Sequence, residues 1–261
     1  MTAFSTREIT DEKEYFGRDH IIQGLITYAN RADNKGIFGI RRSGKTSILK
    51  IMELKLRKNE KSKTYPIYFD FKETRTSIEK GAQYAYKYMI ARLIAQLYED
   101  GIYSGDFTIR GLAIKPSSLW EDIYDYLQEL NKPKTMGVFS ELIESCAQKT
   151  NKSVLFLIDE YEYLLAERFD GIEDFYHMRF LGQTTSEGKK FFSFWIAGAT
   201  DWSDMCSRWG SLPGSPPFNT IDTPFVYLGP LDKEAFHAMW MREIGFVNDE
   251  GKRRFLLDIV D

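Results

Sequence analysis

The sequence predicts an α/β fold of three layers, in which a mainly parallel five-stranded sheet lies between helices. Two observations predict it. Short, almost continuous apolar runs alternate with segments whose apolar residues recur at helical spacing. A glycine-rich turn, GIRRSGKT at residues 39–46, joins one such run to one such helical segment. Strands that are apolar along their whole length are typical of parallel sheets with both faces covered.

The predicted elements follow this alternation along the chain. Helices are expected at residues 16–30, 47–56, 78–98, 119–130 and 137–148. Strands are expected at residues 35–38, 66–71, 154–158, 191–197 and 225–228. The stretch 100–118 contains three glycines and Pro116, so we interpret it as a loop or an insertion, with a short strand at 107–109.

Length and composition limit the classes of function. The 261 residues, 43% of them hydrophobic, suffice for one substantial core. The 35 basic and 38 acidic residues leave a net charge of -3, so the overall field does not favour a polyanionic partner, although a local basic patch stays compatible. Cys146 and Cys206 form neither a metal motif nor a disulfide framework. No apolar run approaches the roughly 20 residues that span a bilayer, so we expect a cytoplasmic protein without membrane contact.

The turn at residues 39–46 matches the pattern G-x-x-x-x-G-K-[ST], in the strand-to-helix setting where that pattern binds phosphate. Backbone N–H groups at a helix start attract phosphate, and Gly39 and Gly44 let the backbone approach it closely. Lys45 is expected to bridge the β- and γ-phosphates of a nucleoside triphosphate, and the Thr46 hydroxyl to coordinate Mg²⁺. The other residues of the turn that we assign to the nucleotide are Arg42, Ser43 and Ser47.

A second part of the same site is predicted where the apolar strand VLFLI ends in the two acidic residues Asp159 and Glu160. Open α/β sheets place ligand chemistry at such strand ends. Asp159 is expected to hold Mg²⁺ and Glu160 to position the attacking water, unless the two residues merely cap a strand that meets solvent. Thr200, after the next predicted strand, either senses the γ-phosphate or belongs to an ordinary turn. The candidates for an arginine finger, with solvated surface arginines as the alternative, are Arg179 and Arg208.

Several segments together resemble the STAND and archaeal-type ATPases, relatives of the AAA+ and origin-recognition ATPases. The matching segments are FGRD at 16–19, GIRRSGKTS at 39–47, LIDE at 157–160, GAT at 198–200 and LGPL at 228–231. Asp19 stands where these families usually have Glu. The resemblance implies that Phe16 and Arg18 lie near the adenine. It also implies a sheet of order 5-1-4-3-2, followed by a helical lid and often a winged-helix domain.

The resemblance also suggests a domain organisation. Residues 1–230 are expected to form a P-loop NTPase domain of the ATPase type, in which residues 1–14 are an N-terminal extension. Residues 231–261 are expected to begin a helical lid that is truncated, either because the chain is an excised portion or because the ATPase is naturally short.

The leading hypothesis is an ATPase switch that uses ATP and Mg²⁺ and couples nucleotide state to a protein partner or a homo-oligomer. A role in bacterial defence or signalling is implied by the resemblance alone. The alternatives are an origin-recognition-like DNA-binding ATPase, a nucleotide-binding scaffold without turnover, and a small-molecule kinase. The net charge disfavours nucleic acid, and the basic clusters at 55–58 and 61–63 are more typical of solvated helix and turn. The pair Asp159 and Glu160 favours water over a metabolite as acceptor.

Overall fold

The structure is a computed structural model that describes residues 17–71, 82–163, 172–183, 185–186, 189–199, 221, 224–245 and 250. Several residues singled out in the sequence lie outside the described residues, namely Phe16, Thr200, Cys206 and Arg208.

The described elements alternate as predicted. The strands are β1 (Lys35–Phe38), β2 (Thr64–Asp70), β3 (Phe107–Ile109), β4 (Leu112–Ile114), β5 (Ser153–Asp159), β6 (Thr185–Ser186), β7 (Lys189–Lys190), β8 (Phe192–Gly198) and β9 (Val226–Tyr227). The helices are α1 (Asp19–Asn30), α2 (Lys45–Lys58), α3 (Ala82–Glu99), α4 (Trp120–Leu127), α5 (Lys132–Thr150), the single turn α6 (Tyr161–Tyr163), α7 (Ile172–Gln183) and α8 (Lys233–Gly245).

The main sheet has five strands in the order β2-β5-β8-β1-β9, and every neighbouring pair is parallel. The predicted fold class is therefore confirmed. When only these five strands are numbered along the chain, their order reads 5-1-4-3-2 from β9 to β2, which is the order that the resemblance implied.

Two hydrophobic clusters cover the two faces of the sheet. Successive residues of β5 point to opposite faces, so Leu155 and Leu157 pack with α1 and α2 while Phe156 packs with α3 and α5. The cluster that contains Phe156 is rich in aromatic rings. The centroid of the Phe156 ring lies 4.6 Å from that of the Phe69 ring and 5.0 Å from that of the Phe192 ring. The sheet is thus buried on both faces, as its continuous apolar strands predict. No helix among the described residues is long and apolar enough to cross a bilayer.

Two helix starts differ from the prediction. Helix α1 begins at Asp19 rather than at residue 16, because Gly17 and Arg18 have left-handed φ angles of 66° and 63° that a helix cannot contain. Helix α5 begins at Lys132, five residues before the predicted start at 137. The Asn131 side chain accepts a hydrogen bond from the Lys134 backbone N–H and so caps this earlier start.

The segment 100–118 is more ordered than the predicted loop. The expected strand at 107–109 is present as β3, and β4 pairs with it in an antiparallel hairpin. Arg110 and Gly111 form the two-residue turn with φ angles of 47° and 75°, the left-handed pair that suits a tight hairpin. A second short hairpin, β6 and β7, was also not predicted.

Leu157 and Leu119 allow a matched test of this packing, because Leu157 is fully buried and Leu119 is 59% exposed. Leu157→Ala is expected to lower the free energy of unfolding by about 2–5 kcal/mol, since it removes buried methyl groups and leaves a cavity. Leu119→Ala is expected to change it by less than about 0.5 kcal/mol. Urea denaturation measures both values, and equal losses would contradict the assignment of Leu157 to the core.

Candidate functional site

The carboxyl ends of the parallel strands bring the predicted site residues to one edge of the sheet. The glycine-rich turn follows β1, Asp159 ends β5 and Gly198 ends β8. The register pairs Phe38 with Gly198 and Ile158 with Ile196, so the three ends lie side by side. Residues 160 positions apart in sequence therefore meet at this edge.

The glycine-rich turn leads directly into α2, whose helical cap is Gly44 with a φ angle of 86°. Lys45, in the first turn of α2, folds back and donates hydrogen bonds to the carbonyl oxygens of Gly39 at 2.9 Å and Ile40 at 3.0 Å. The Ser43 hydroxyl oxygen is buried and has no hydrogen-bond partner among the described residues. The remaining predicted residues of this segment are the exposed Arg42 and the partly buried Thr46 and Ser47.

Asp159 is the most enclosed polar group of the site, with 2% of its surface exposed. Its Oδ2 accepts hydrogen bonds from the Thr46 hydroxyl at 2.5 Å and the Tyr68 hydroxyl at 3.1 Å. Its Oδ1 accepts one from the Glu160 backbone N–H at 3.0 Å. Burial raises the pKa of the Asp159 carboxyl, and these hydrogen bonds oppose the rise.

Tyr68 is a site residue that the sequence prediction missed. It lies on β2 and is almost fully buried, and its hydroxyl is the second side-chain donor to Asp159. The ammonium of Lys50 lies 3.5 Å from the centroid of its ring. In the sequence, Tyr68 stands out only as a phenol within an apolar strand. Its hydroxyl reaches Asp159 because β2 pairs with β5, which the sequence of β2 does not reveal.

Three carboxylates act on the charge of Lys45. Burial lowers the pKa of the Lys45 ammonium, and Asp159, Glu160 and Glu162 act against this lowering in that order. Glu160 has a left-handed φ angle of 50° at the turn between β5 and α6. Glu162, which the sequence prediction did not single out, lies in α6 with its carboxylate against the backbone of Gly198.

Arg18 connects three parts of the molecule. Its guanidinium donates hydrogen bonds to the carbonyl oxygens of Ser43 in the glycine-rich turn and Gly229 in the segment after β9. The neighbouring Gly17 lies directly against Ala235 of α8. The segment at 17–18 is therefore adjacent to the glycine-rich turn, and its contact with adenine stays a prediction.

The structure does not bring Arg179 to this edge. Arg179 lies on α7, three residues before Gly182, which packs beside Asn34 near the amino end of β1. Arg179 is thus placed toward the opposite edge of the sheet. Among the described residues, no group of three or more His, Cys, Asp or Glu side chains is arranged to hold a metal ion by itself.

No known protein family and no curated protein matches the sequence. Solved structures match most of the chain. A Walker-type ATPase of Pyrococcus abyssi aligns with a TM-score of 0.62 and 18% identity over 98% of this chain. The ORC2 protein of Aeropyrum pernix, in its ADPNP and ADP complexes, aligns with a TM-score of 0.58 and 14% identity over 93% of this chain. The ADP form of the same ORC2 protein aligns with a TM-score of 0.54 and 13% identity, over 90% of this chain and 55% of the ORC2 chain.

This chain has a P-loop NTPase fold. At these identities the likeness establishes the fold alone, and the chain spans 66% of the Pyrococcus protein and 55% of ORC2. The glycine-rich turn after β1 is the P-loop of this fold, and the acidic end of β5 faces it across the edge of the sheet.

Gly198 allows a test of the packing around the P-loop. A Cβ atom at this position would overlap both carboxylate oxygens of Glu162 and lie 2.5 Å from the Tyr161 ring. Gly198→Ala is therefore expected to lower the free energy of unfolding by about 1–3 kcal/mol. The control is Gly24→Ala on α1, whose Cβ would meet nothing within 4 Å and is expected to be neutral or stabilising by up to about 1 kcal/mol. A neutral Gly198→Ala would contradict the placement of Glu162.

Proposed function

We propose that the protein binds ATP with Mg²⁺ at the carboxyl edge of the sheet and hydrolyses it. The observation that carries the proposal is the 2.5 Å hydrogen bond between the Thr46 hydroxyl of the P-loop and the Asp159 carboxylate of β5. A hydroxyl directly after the P-loop lysine and a strand-end aspartate are the two groups that share a magnesium ion in P-loop NTPases. Here they already lie in contact.

The donor set fits Mg²⁺. The ion prefers oxygen ligands, keeps several waters and is usually held by one or two protein groups together with substrate phosphates. Thr46 and Asp159 would hold it, and the Tyr68 hydroxyl would orient the carboxylate. When bound, Mg²⁺ would neutralise negative charge on the phosphates of the nucleotide.

The P-loop offers donors that suit the triphosphate. Lys45 has an ammonium group that carries three N–H donors, now directed at two backbone carbonyls, and it would turn toward the β- and γ-phosphates. The buried Ser43 hydroxyl, without a partner among the described residues, is also available to a phosphate oxygen. The further residues that we assign to the nucleotide are Gly39, Arg42, Gly44, Ser47 and, beside the adenine, Phe16 and Arg18.

Hydrolysis would proceed by in-line attack of water on the γ-phosphorus. Glu160 follows Asp159 directly and is near enough to Lys45 to act on its charge, so we assign it the positioning of the water. The bond to the β,γ-bridging oxygen breaks, which leaves ADP and inorganic phosphate. Lys45 would stabilise the negative charge on the transferred group, and Thr200 would sense the γ-phosphate.

We further propose that nucleotide state controls the binding of a protein partner or the assembly of a homo-oligomer. Arg18 bonds both the P-loop and the segment that precedes α8, so a change at the phosphates reaches the start of the expected lid. A setting in bacterial defence or signalling belongs to this proposal and rests on the sequence resemblance. A scaffold that binds ATP without turnover is the competing function.

Glu160→Gln tests the hydrolytic assignment. The change keeps the shape of the side chain and removes its negative charge, so kcat for ATP is expected to fall by at least about 100-fold while ATP binding persists. Glu144→Gln on α5, an exposed glutamate away from the site, is the matched control and should keep the wild-type kcat. Phosphate release measures kcat, and fluorescence of a labelled ATP analogue measures binding. Absence of wild-type turnover under all these conditions would favour the scaffold.

Tyr68→Phe tests the role of the hydroxyl that contacts Asp159. Since partners that orient a metal ligand affect metal affinity, the variant is expected to need about 10–100-fold more Mg²⁺ for half-maximal turnover, with a smaller change in kcat. Tyr126→Phe on α4, 48% exposed, removes the same hydroxyl elsewhere and should leave the Mg²⁺ requirement unchanged. Titration of ATP turnover with Mg²⁺ measures both. An unchanged requirement in Tyr68→Phe would remove Tyr68 from the site.

A further inference from the structure

The strand beside β5 also ends in an acidic residue at the edge that carries the P-loop. Strand β2 runs parallel to β5, and the register pairs their last residues, Asp70 and Asp159. Neighbouring strands lie about 4.8 Å apart, so the backbones of the two residues are close neighbours. Asp70 therefore stands beside the carboxylate that we assign to magnesium, although it has no role in the proposed function so far.

The side chains of Asp70 and Asp159 lie on the same face of the sheet. Side chains two residues apart along a strand share a face. Tyr68 of β2 and Leu157 of β5 both pack in the cluster beside α1 and α2. Asp70 and Asp159 each follow one of them by two residues, so both carboxylates are directed to the side of the sheet on which α2 and the P-loop lie.

The two carboxylates repel each other. Burial is the main cause that raises the pKa of the Asp159 carboxyl, and the negative charge of Asp70 adds to the rise. Asp159 is buried and Asp70 is partly buried, so solvent screens this repulsion only in part. A cation at this edge would be attracted by both carboxylates and would offset the repulsion.

We propose that Asp70 is a positioning residue for the magnesium ion of the nucleotide and that it accepts a hydrogen bond from a water molecule of the ion's shell. The inference rests on the proposed function, in which Thr46 and Asp159 hold the ion. Mg²⁺ usually keeps several waters when it binds to a protein, and carboxylates beside a metal site commonly orient its ligands. Contact through water also agrees with the absence, among the described residues, of a group of three acidic or histidine side chains arranged to hold a metal by themselves.

The charge of Asp70 is expected to have opposite effects with and without metal. Without Mg²⁺, it adds to the negative potential that the phosphates meet, so it weakens nucleotide binding. With Mg²⁺, the same charge attracts the ion, so it strengthens binding of the nucleotide together with its metal. A side chain that merely supported the fold would change nucleotide affinity in the same direction under both conditions.

The test is binding of a fluorescently labelled, non-hydrolysable ATP analogue to the purified chain, once in EDTA and once in Mg²⁺. The ratio of the two dissociation constants measures how far Mg²⁺ strengthens binding. Asp70→Asn keeps the shape of the side chain and removes its charge, so the ratio is expected to fall about 10-fold. Affinity in EDTA is expected to stay equal or to increase. Asp70→Glu keeps the charge and is expected to retain more of the ratio than Asp70→Asn.

The matched control is Asp125→Asn, which changes an exposed aspartate on α4 and should keep the wild-type ratio. Asp159→Asn is the reference and is expected to lose the Mg²⁺ effect. Thermal unfolding followed by circular dichroism checks that each variant is folded.

The outcomes separate this inference from the proposed function. If Asp159→Asn loses the Mg²⁺ effect and Asp70→Asn keeps it, the role of Asp70 is wrong and the proposed function stands. Equal weakening of Asp70→Asn in EDTA and in Mg²⁺ would assign Asp70 to the fold alone and would also overturn its role. A wild-type chain that binds no nucleotide, or binds it without any effect of Mg²⁺, would overturn the proposed magnesium site and the role of Asp70 together.

Discussion

The hydrogen bond from Thr46 to Asp159 joins two residues 113 positions apart, and the candidate site depends on it. It forms because β5 and β1 run parallel with β8 between them, so the P-loop and the acidic strand end lie on the same edge. The apolar faces of the sheet fix this register, since a slip of one residue would exchange the two buried faces of every strand. The packing of the core therefore sets the geometry of the polar edge.

The same edge concentrates charge where water is scarce. Burial raises the pKa of the Asp159 carboxyl and lowers the pKa of the Lys45 ammonium. In both cases it favours the neutral form of the group. Their hydrogen bonds within the protein limit this cost: Lys45 binds two carbonyls and Asp159 accepts from three donors. A triphosphate and its metal ion would supply stronger partners of opposite charge to the same atoms.

Local patterns predicted most of the fold and the centre of the site, whereas features created by strand pairing were missed. The apolar strands, Lys45 and Asp159 were visible because each is coded within about ten consecutive residues. Tyr68 was not, because its hydroxyl reaches Asp159 only through the pairing of β2 with β5. Glu162 likewise depends on the approach of α6 to Gly198.

Arg18 shows how the two ends of the described chain can act on one loop. Its guanidinium holds the Ser43 carbonyl of the P-loop and the Gly229 carbonyl that precedes α8, and its planar shape fixes the distance between them. A P-loop that shifts to accept a phosphate must move Arg18 or break one of these bonds. Because Gly17 packs against Ala235, moving Arg18 also displaces the contact with α8. In the proposed switch, this one side chain would make the position of α8 sensitive to the state of the P-loop, without any direct contact between helix and phosphate.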